Sequence, residues 1–315
     1  MTNQIVSTAI MVTPHQPVLY QEIIHALQPK SPGRYIDGTI GAGGHARGIL
    51  EACAPDGCLL GFDLDSQALA LARETLAPYG KRVVLAQASY LSLSETMQRL
   101  GWKAADGIVI DLGVSSMQLD TPERGFSFQS DAPLDMRFNR DVGLTAAQLI
   151  NTTPEADLAN LLFRYGEEPR ARRIAKMIAQ ARPVTTTLQL AEIVKKAYPG
   201  HSRVHPATRT FQAIRIAVND ELSTLEQALP RAIQALRPGG RLAAISFHSL
   251  EDRIVKDFFR HESKDWINPP YEKIYEVERH ATLKEINRKP ITPEEDEIKT
   301  NPRARSAKLR VAEKL

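Results

Sequence analysis

A doubly wound α/β fold with a mostly parallel sheet, interrupted by an inserted helical domain, follows from three features of the chain. Helical and strand periods alternate from Pro17 to Gly113. A glycine-rich run, Asp37-Gly-Thr-Ile-Gly-Ala-Gly-Gly-His45, joins a short β-branched and aromatic stretch to an amphipathic segment. The alternation lapses after Gly113 and resumes near Thr208. Strands alternating with helices of this length imply parallel pairing with helices on both faces of the sheet.

The elements read in order as follows. Val18 to Leu27 is amphipathic, Tyr35 to Ile40 extended, Gly44 to Ala52 helical, and Leu59 to Asp63 a buried second strand. Ser66 is a plausible N-cap for a helix carrying Ala68, Leu69, Leu71, Ala72 and Leu76, which Pro78 and Gly80 terminate. Arg82 to Ala88 reads as a third strand, Leu91 to Leu100 as a helix and Gly107 to Asp111 as a fourth strand. Ser115 to Asp141 has no sustained period, and Leu144 to Ala197 reads as successive short helices. Thr153-Pro-Glu155 and Thr185 to Thr187 start helices there, and Gly166, Pro183 and Pro199 break them. A long helix from Thr208 to Arg237, a Pro238-Gly-Gly240 turn and a strand from Leu242 to Phe247 close the fold. Lys264 to Thr300, rich in Pro, Glu and Lys, predicts no element, and Ser306 to Ala312 is a final, basic strand. The domain plan is thus a loose extension over 1–14, a cofactor-binding domain from 15–118 and 206–315, and a helical insert over 119–205.

Composition bounds the class. With 315 residues and 43% hydrophobic content the chain supports a substantial core. The formal net charge of +3 is too small to demand a nucleic-acid partner, so local clustering must carry that argument. Only two cysteines occur, Cys53 and Cys58, which points to a reducing compartment. No signal segment or membrane span is legible, and a cytoplasmic location is expected. No His or Cys cluster has metal-ligand spacing, and no metal is expected.

The glycine run reads as a cofactor cradle, because glycines at 38, 41, 43 and 44 permit positive φ and let a ligand approach the backbone. Gly41, Gly43 and Ala46 also satisfy the G-x-G-x-x-A spacing of dinucleotide-binding folds, which keeps a nicotinamide-dependent oxidoreductase as an alternative, and a plain strand-to-helix turn is the bland one. Asp63, twenty residues after Gly43, can accept both ribose hydroxyl protons of either cofactor. Asp37 favours S-adenosylmethionine, whose sulfonium and amino groups are cationic, over a pyrophosphate that a carboxylate would repel.

Ligands sit beyond the carboxyl ends of the strands in such sheets, so Asp37, Asp63, Tyr90 and Asp111 should converge on one crevice. Asp111-Leu-Gly-Val-Ser-Ser116 ends the fourth strand, where a proton acceptor for amino-group methylation would stand; a loop cap is the competing role. Tyr90 can edge an adenine or simply pack in the core. His248, after the fifth strand, faces a phosphate or base, or is a satisfied structural histidine; Ser249 with Asp252 is the expected cap of the helix that follows. Arg164, Arg170, Arg172, Arg173, Lys176 and Arg182, with Arg203, Arg209 and Arg215, form a run that binds phosphates or merely solvates helix faces. Gly125-Phe-Ser-Phe128 and Pro133-Leu-Asp-Met-Arg137 add aromatics, Asp135 and Arg137 that could hold a splayed base.

Together the motifs resemble one family, the bacterial small-subunit ribosomal RNA cytosine-N4 methyltransferases, known as RsmH or MraW. The resemblance rests on His15-Gln-Pro-Val-Leu19, the D-G-T-x-G-x-G-G-H loop, D-L-G-V-S-S-M-Q-L-D from Asp111, R-G-F-S-F from Arg124 and P-L-D-M-R from Pro133. It continues through Tyr165-Gly-Glu-Glu168, H-P-A-T-R-T-F-Q-A-I-R-I from His205, I-S-F-H-S-L-E-D-R-I-V-K from Ile245 and N-P-R-A-R-S-A-K-L-R from Asn301. It implies a Rossmann-like fold and S-adenosylmethionine-dependent methylation of N4 of cytidine 1402 in the decoding region of 16S ribosomal RNA, within the small subunit. It implies cofactor contacts from Gly43, Gly44, His45, Asp63, Tyr90, Asp111 and Gln118. Tyr90 stands where phenylalanine is more usual, and Met117 where proline is frequent. Asp111 is the expected proton acceptor, with Asp135 its rival, and Arg137, Arg172, Arg173, Arg209 and His248 are the expected RNA contacts. A homodimer is left open. A C5 methyltransferase would need a cysteine nucleophile, and neither Cys53 nor Cys58 ends a strand at the cleft.

Overall fold

The computed structural model describes residues 17–198, 205–267 and 277–315. The expected extension over 1–14, and with it His15, Gln16, Pro199 and Arg203, lies outside the described residues. The strands are β1 (Arg34–Asp37), β2 (Cys58–Asp63), β3 (Val83–Gln87), β4 (Ala105–Asp111), β5 (Leu236–Ser246), β6 (Trp266–Ile267), β7 (Val277–Glu278), β8 (Leu283–Glu285) and β9 (Lys308–Lys314). Seven of them form one sheet in the order β3-β2-β1-β4-β5-β9-β8, and β6 pairs with β7 separately. The first five run parallel, while β9 is antiparallel to β5 and β8 antiparallel to β9.

The apolar runs of β1, β2 and β4 are continuous because both faces are covered, and successive residues alternate between two cores. Tyr35, Leu59 and Val109 pack on one side with α1 (Tyr20–Leu27), α2 (Gly44–Ala52) and α3 (Ser66–Leu76). Ile36, Leu60, Ile108 and Ile110 pack on the other with α4 (Leu93–Arg99) and the later helices α11 (Glu221–Ala235) and α12 (Ser249–Glu262). Between β4 and α11 the chain leaves the sheet and forms α5 (Ser116–Asp120), α6 (Ala146–Thr152), α7 (Glu155–Gly166), α8 (Ala171–Ala181), α9 (Thr187–Lys196) and α10 (Ala207–Asn219). These have their own core around Leu158, Leu162, Ile174, Ile178 and Leu190.

Several expectations change in detail. The long helix from Thr208 breaks at Asp220, which adopts left-handed backbone at φ 49°, giving α10 and α11. Ala207, Phe211, Ala213 and Ile214 of α10 belong to the helical core, so the packing boundary of the insert falls near Asn219 and not at 205. The cap of α3 is Asp65, not Ser66: its carboxylate accepts the Gln67 amide at 3.0 Å. The cap of α12 is His248, not Ser249, and Glu251 completes the box in place of Asp252. Asp252 instead receives Lys308 and Arg310 of β9. The stretch 264–300, which predicts no element, contains β8 and α13 (Glu295–Thr300), both too short to leave a periodic signal. No helix among the described residues is long and apolar enough to cross a membrane.

Candidate active site

The crevice is assembled by backbone pairing at the carboxyl ends of β1, β2 and β4. Gly38 donates to the Val109 carbonyl at 2.8 Å and Ile40 to that of Phe62 at 2.8 Å, so the glycine loop is stretched across the ends of β4 and β2. Gly41 and Gly43 hold φ of 52° and 85°, the left-handed turn that favours glycine. Gly38 and Gly44 have another reason. A Cβ on Gly44 would stand 2.3 Å from Cγ of Pro17, and one on Gly38 3.3 Å from Cβ of Tyr90. The expectation of positive φ at all four glycines is therefore corrected: two serve the turn, two allow close approach.

Three carboxylates line the strand ends, and among the described residues none has a Lys or Arg ion-pair partner. Asp37 is 2% exposed and accepts the Thr39 amide at 3.0 Å; burial pushes it up to about 7. Asp63 accepts the amides of Gly41 and Asp65, both at 2.9 Å, and burial still raises it to about 6. Each oxygen keeps a further lone pair, so the ribose role expected of it stays chemically open. Asp111 is raised well above the carboxylate range by burial, then by the negative charges of Asp37 and Glu251. Its Oδ1 is buried and, among the described residues, has no hydrogen-bond partner, and its Oδ2 faces Nδ1 of His45 at 3.8 Å. Its amide donates to Oγ1 of Thr39 at 2.7 Å, which fixes the backbone from which the carboxylate projects. His45 is 6% exposed, contacts the Val18 carbonyl through Nε2 at 2.9 Å, and is held down to about 4 by burial.

Other expected site residues are placed less directly. Tyr90 is half-buried beside Gly38, against the second core, and burial raises its phenol. Gln118 is 5% exposed; its Oε1 caps the Ser115 amide at 3.0 Å and its Nε2 donates to Asp65 at 3.0 Å, so its polar atoms already have partners within the protein. Asp135 is paired with Arg137 through two hydrogen bonds of 2.8 and 2.9 Å. That guanidinium outweighs the burial of Asp135 and lowers it below its ordinary value, which makes it a poorer proton acceptor than Asp111. His248 is engaged locally: Nδ1 accepts the Glu251 amide at 3.4 Å, and Nε2 lies 3.1 Å from Oε1 of Glu251, off the direction of a hydrogen bond. Cys58 begins β2 at the end opposite Asp63.

Two polar clusters escape sequence reading. Asp65, 3% exposed, pairs with Arg124, 1% exposed, at 2.5 Å, and Arg124 also donates to the carbonyls of Arg137 and Phe138. The β2 turn is thereby tied to the insert. The second cluster joins Arg215 to Glu221 by bonds of 2.8 and 2.9 Å, with Glu251 3.9 Å away; Glu251 accepts the Phe247 amide at 2.8 Å and so shapes the loop after β5. Arg215, counted in the basic run, is thus an internal counter-ion and no phosphate ligand. Only the R-G-F-S-F motif hinted at the first cluster, and nothing local signalled the second.

The remaining basic run divides. Arg182 donates to the carbonyls of Ile150 and Thr153, and Arg170 donates to that of Ala197 and lies over the Tyr198 ring. Those two are structural. Arg164, Arg172, Arg173, Lys176 and Arg209 are exposed, Arg209 donating to the Glu167 carbonyl at 3.2 Å. Arg172 and Arg173 lie in the first turn of α8, opposite its buried Ile174, Ala175 and Ile178.

The MraW methylase family matches residues 12–315. A ribosomal RNA small subunit methyltransferase H of Geotalea uraniireducens is 52% identical over 307 residues, covering 96% of this chain and 98% of the relative. A protein of the same description from Heliobacterium mobile is 50% identical over 308 residues, covering 96% and 99%. A third, from Magnetococcus marinus, is 52% identical over 308 residues, covering 96% and 98%. A nicotinamide-dependent oxidoreductase is set aside by this agreement over crevice and insert together. The chain belongs to the MraW methylase family.

Proposed function

We propose that the chain methylates N4 of a cytidine in the decoding region of 16S ribosomal RNA, within the small subunit, using S-adenosylmethionine. The observation that carries the chemistry is Asp111, a partly exposed carboxyl group at the end of β4 whose Oδ1 is buried and which, among the described residues, has an unpartnered oxygen and no cationic neighbour. The curated relatives, named for small-subunit ribosomal RNA, supply the substrate class.

The residues fit a cationic adenosine cofactor: Asp37, Asp63 and Asp111 crowd negative capacity into one crevice, and Gly41, where a Cβ would meet only the Thr39 carbonyl at 3.9 Å, leaves room beside the backbone. Gly43, Gly44, Asp63 and Tyr90 would hold the adenosine, with His45 and Asp111 toward the sulfonium. When bound, S-adenosylmethionine supplies an electrophilic methyl group. The exocyclic amine of cytosine is a weak nucleophile because its lone pair is delocalised into the ring. Asp111 accepts a hydrogen bond from that amine, localises the lone pair and takes the proton as the new bond forms. Asp135 stays ionised against Arg137 and positions the loop that carries it. Exposed Arg172, Arg173 and Arg209 of the insert bind RNA phosphates.

Nucleoside mass spectrometry of ribosomal RNA from cells lacking the protein, then complemented, tests the reading: N4-methylcytidine should vanish and return. Asp111→Asn should bind cofactor yet fail to restore it, while Asp135→Asn should retain more activity. Reversing Arg172 and Arg173 to Glu should weaken subunit binding at least about tenfold with cofactor affinity intact; unchanged subunit affinity removes the insert from the RNA interface.

A further inference from the structure

We propose that His45 and Asp111 form a proton-holding pair: without cofactor, Asp111 is a neutral acid facing Nδ1 of His45, and it releases its proton to solvent when a sulfonium cation enters. The carboxylate so created is the one that accepts the amino proton, an inference that rests on the acceptor role given to Asp111 above.

The tautomer of His45 fixes the logic. Its Nε2 lies 2.9 Å from the Val18 carbonyl, which only accepts, so Nε2 carries hydrogen. In the neutral ring Nδ1 then presents a lone pair, and it is this lone pair that faces Oδ2 of Asp111 at 3.8 Å. An ionised carboxylate facing a lone pair is repelled, whereas a carboxylic acid is complementary and donates after closing by about 1 Å. His45 is thus a positioning residue that favours the acid.

Among the described residues the surroundings of Asp111, whose side chain is 27% exposed, offer it no cation. It is faced by His45 from α2, Asp37 from β1 and Glu251 from α12. Glu251 is bound to the Phe247 and His248 amides, and its nearest cation, Arg215, is held by Glu221. Among the described residues, every formal charge directed at Asp111 is therefore negative, and Oδ1 has no donor. A positive sulfur changes that balance and makes the ionised form favourable. During transfer a nitrogen–carbon bond forms, the carbon–sulfur bond breaks with its electron pair left on sulfur, and the amino proton passes to Asp111. The positive charge is gone, and the acid facing His45 is restored. The proton lost on binding is regained from the substrate.

Isothermal titration in two buffers of different ionisation enthalpy, near pH 7.5, counts the protons. S-adenosylmethionine and S-adenosylhomocysteine share every titratable group and differ in the sulfonium charge, so the difference between them isolates the effect. About one more proton should be released by S-adenosylmethionine, and Asp111→Asn should shrink the difference, leaving only the share of Asp37 and Asp63. His45→Gln should move the pH midpoint of the difference downward. Equal release by the two ligands in the unsubstituted protein overturns the proposal, whatever the variants do. An undiminished difference in an Asp111→Asn protein that binds both ligands also overturns it, and an unmoved midpoint removes His45. Methyl transfer by Asp111→Asn at the normal rate would instead sink the acceptor assignment while leaving the proton count standing.

Discussion

Arg124→Leu is the perturbation whose size the structure determines most directly. Arg124 and Asp65 are 1% and 3% exposed and meet at 2.5 Å, and the same guanidinium reaches the carbonyls of Arg137 and Phe138 at 2.9 and 3.1 Å. Leucine fills much of the space but leaves a buried carboxylate with the Gln118 amide and the Gln67 backbone as its remaining donors, and frees two loop carbonyls. Removing one partner of a buried pair costs about 3–5 kcal/mol, most of it the stranded charge and not the lost attraction. Urea unfolding at pH 7, followed by far-ultraviolet circular dichroism, should register that loss. Adding Asp65→Asn to Arg124→Leu removes the stranded charge while retaining an acceptor for the Gln67 amide. The double variant should be more stable than the two separate losses imply by about 2 kcal/mol. A loss under about 1 kcal/mol for Arg124→Leu, or simple additivity in the double variant, refutes the view that this pair ties the β2 turn to the insert.

Two further predictions concern the cofactor loop. Gly44→Ala places a methyl group 2.3 Å from the Pro17 ring, so the 17–19 segment must move and its contact with His45 must loosen; stability should fall by about 1–3 kcal/mol and recover in a Gly44→Ala, Pro17→Ala double variant. Unfolding curves equal to those of the parent would show that the segment yields freely. Asp37, raised from 3.8 to about 7, stabilises the fold fully below pH 4 as the buried neutral acid, and that contribution of up to about 4 kcal/mol is lost as pH rises through 7. His45, held down to about 4, acts in the opposite sense, its contribution complete above 6.5 and lost as pH falls through 4. Subtracting the stability profile of Asp37→Asn from that of the parent isolates the first effect: the parent's advantage should shrink steadily between about pH 4 and 7, and a pH-independent difference would contradict it.

The sheet was legible because its information is local and periodic. Leu59-Leu60 and Ile108-Val109-Ile110 are apolar on both faces, and each residue lands in the core its position dictates. The glycine loop and strand-end acids were legible because parallel topology places every β-to-α turn at one edge. Helix caps were misread by one residue at Ser66 and Ser249, since Asp65 and His248 offer equally good acceptors one step earlier and only backbone geometry chooses between them. The pairings within the charge clusters were not legible, although the R-G-F-S-F motif marked Arg124. Arg215 reads like any basic residue of an exposed run until the left-handed Asp220 folds Glu221 back onto it, and Arg124 meets Asp65 from 59 residues away.

That contrast bears on how the crevice selects its ligand. Among the described residues, the guanidiniums that pair around it are already committed: Arg124 to Asp65, Arg215 to Glu221, Arg137 to Asp135. The acids at the strand ends, Asp37, Asp63 and Asp111, are left with backbone amides or with nothing. Pairing the guanidiniums elsewhere therefore gives the site its negative potential as much as the carboxylates do. Among the described residues a pyrophosphate entering here would meet three acids and no available guanidinium, whereas a sulfonium would meet groups that gain by ionising beside it. The glycine spacing alone admits both ligands, and it is the internal pairing of Arg124, Arg137 and Arg215 that tips the crevice toward the cation.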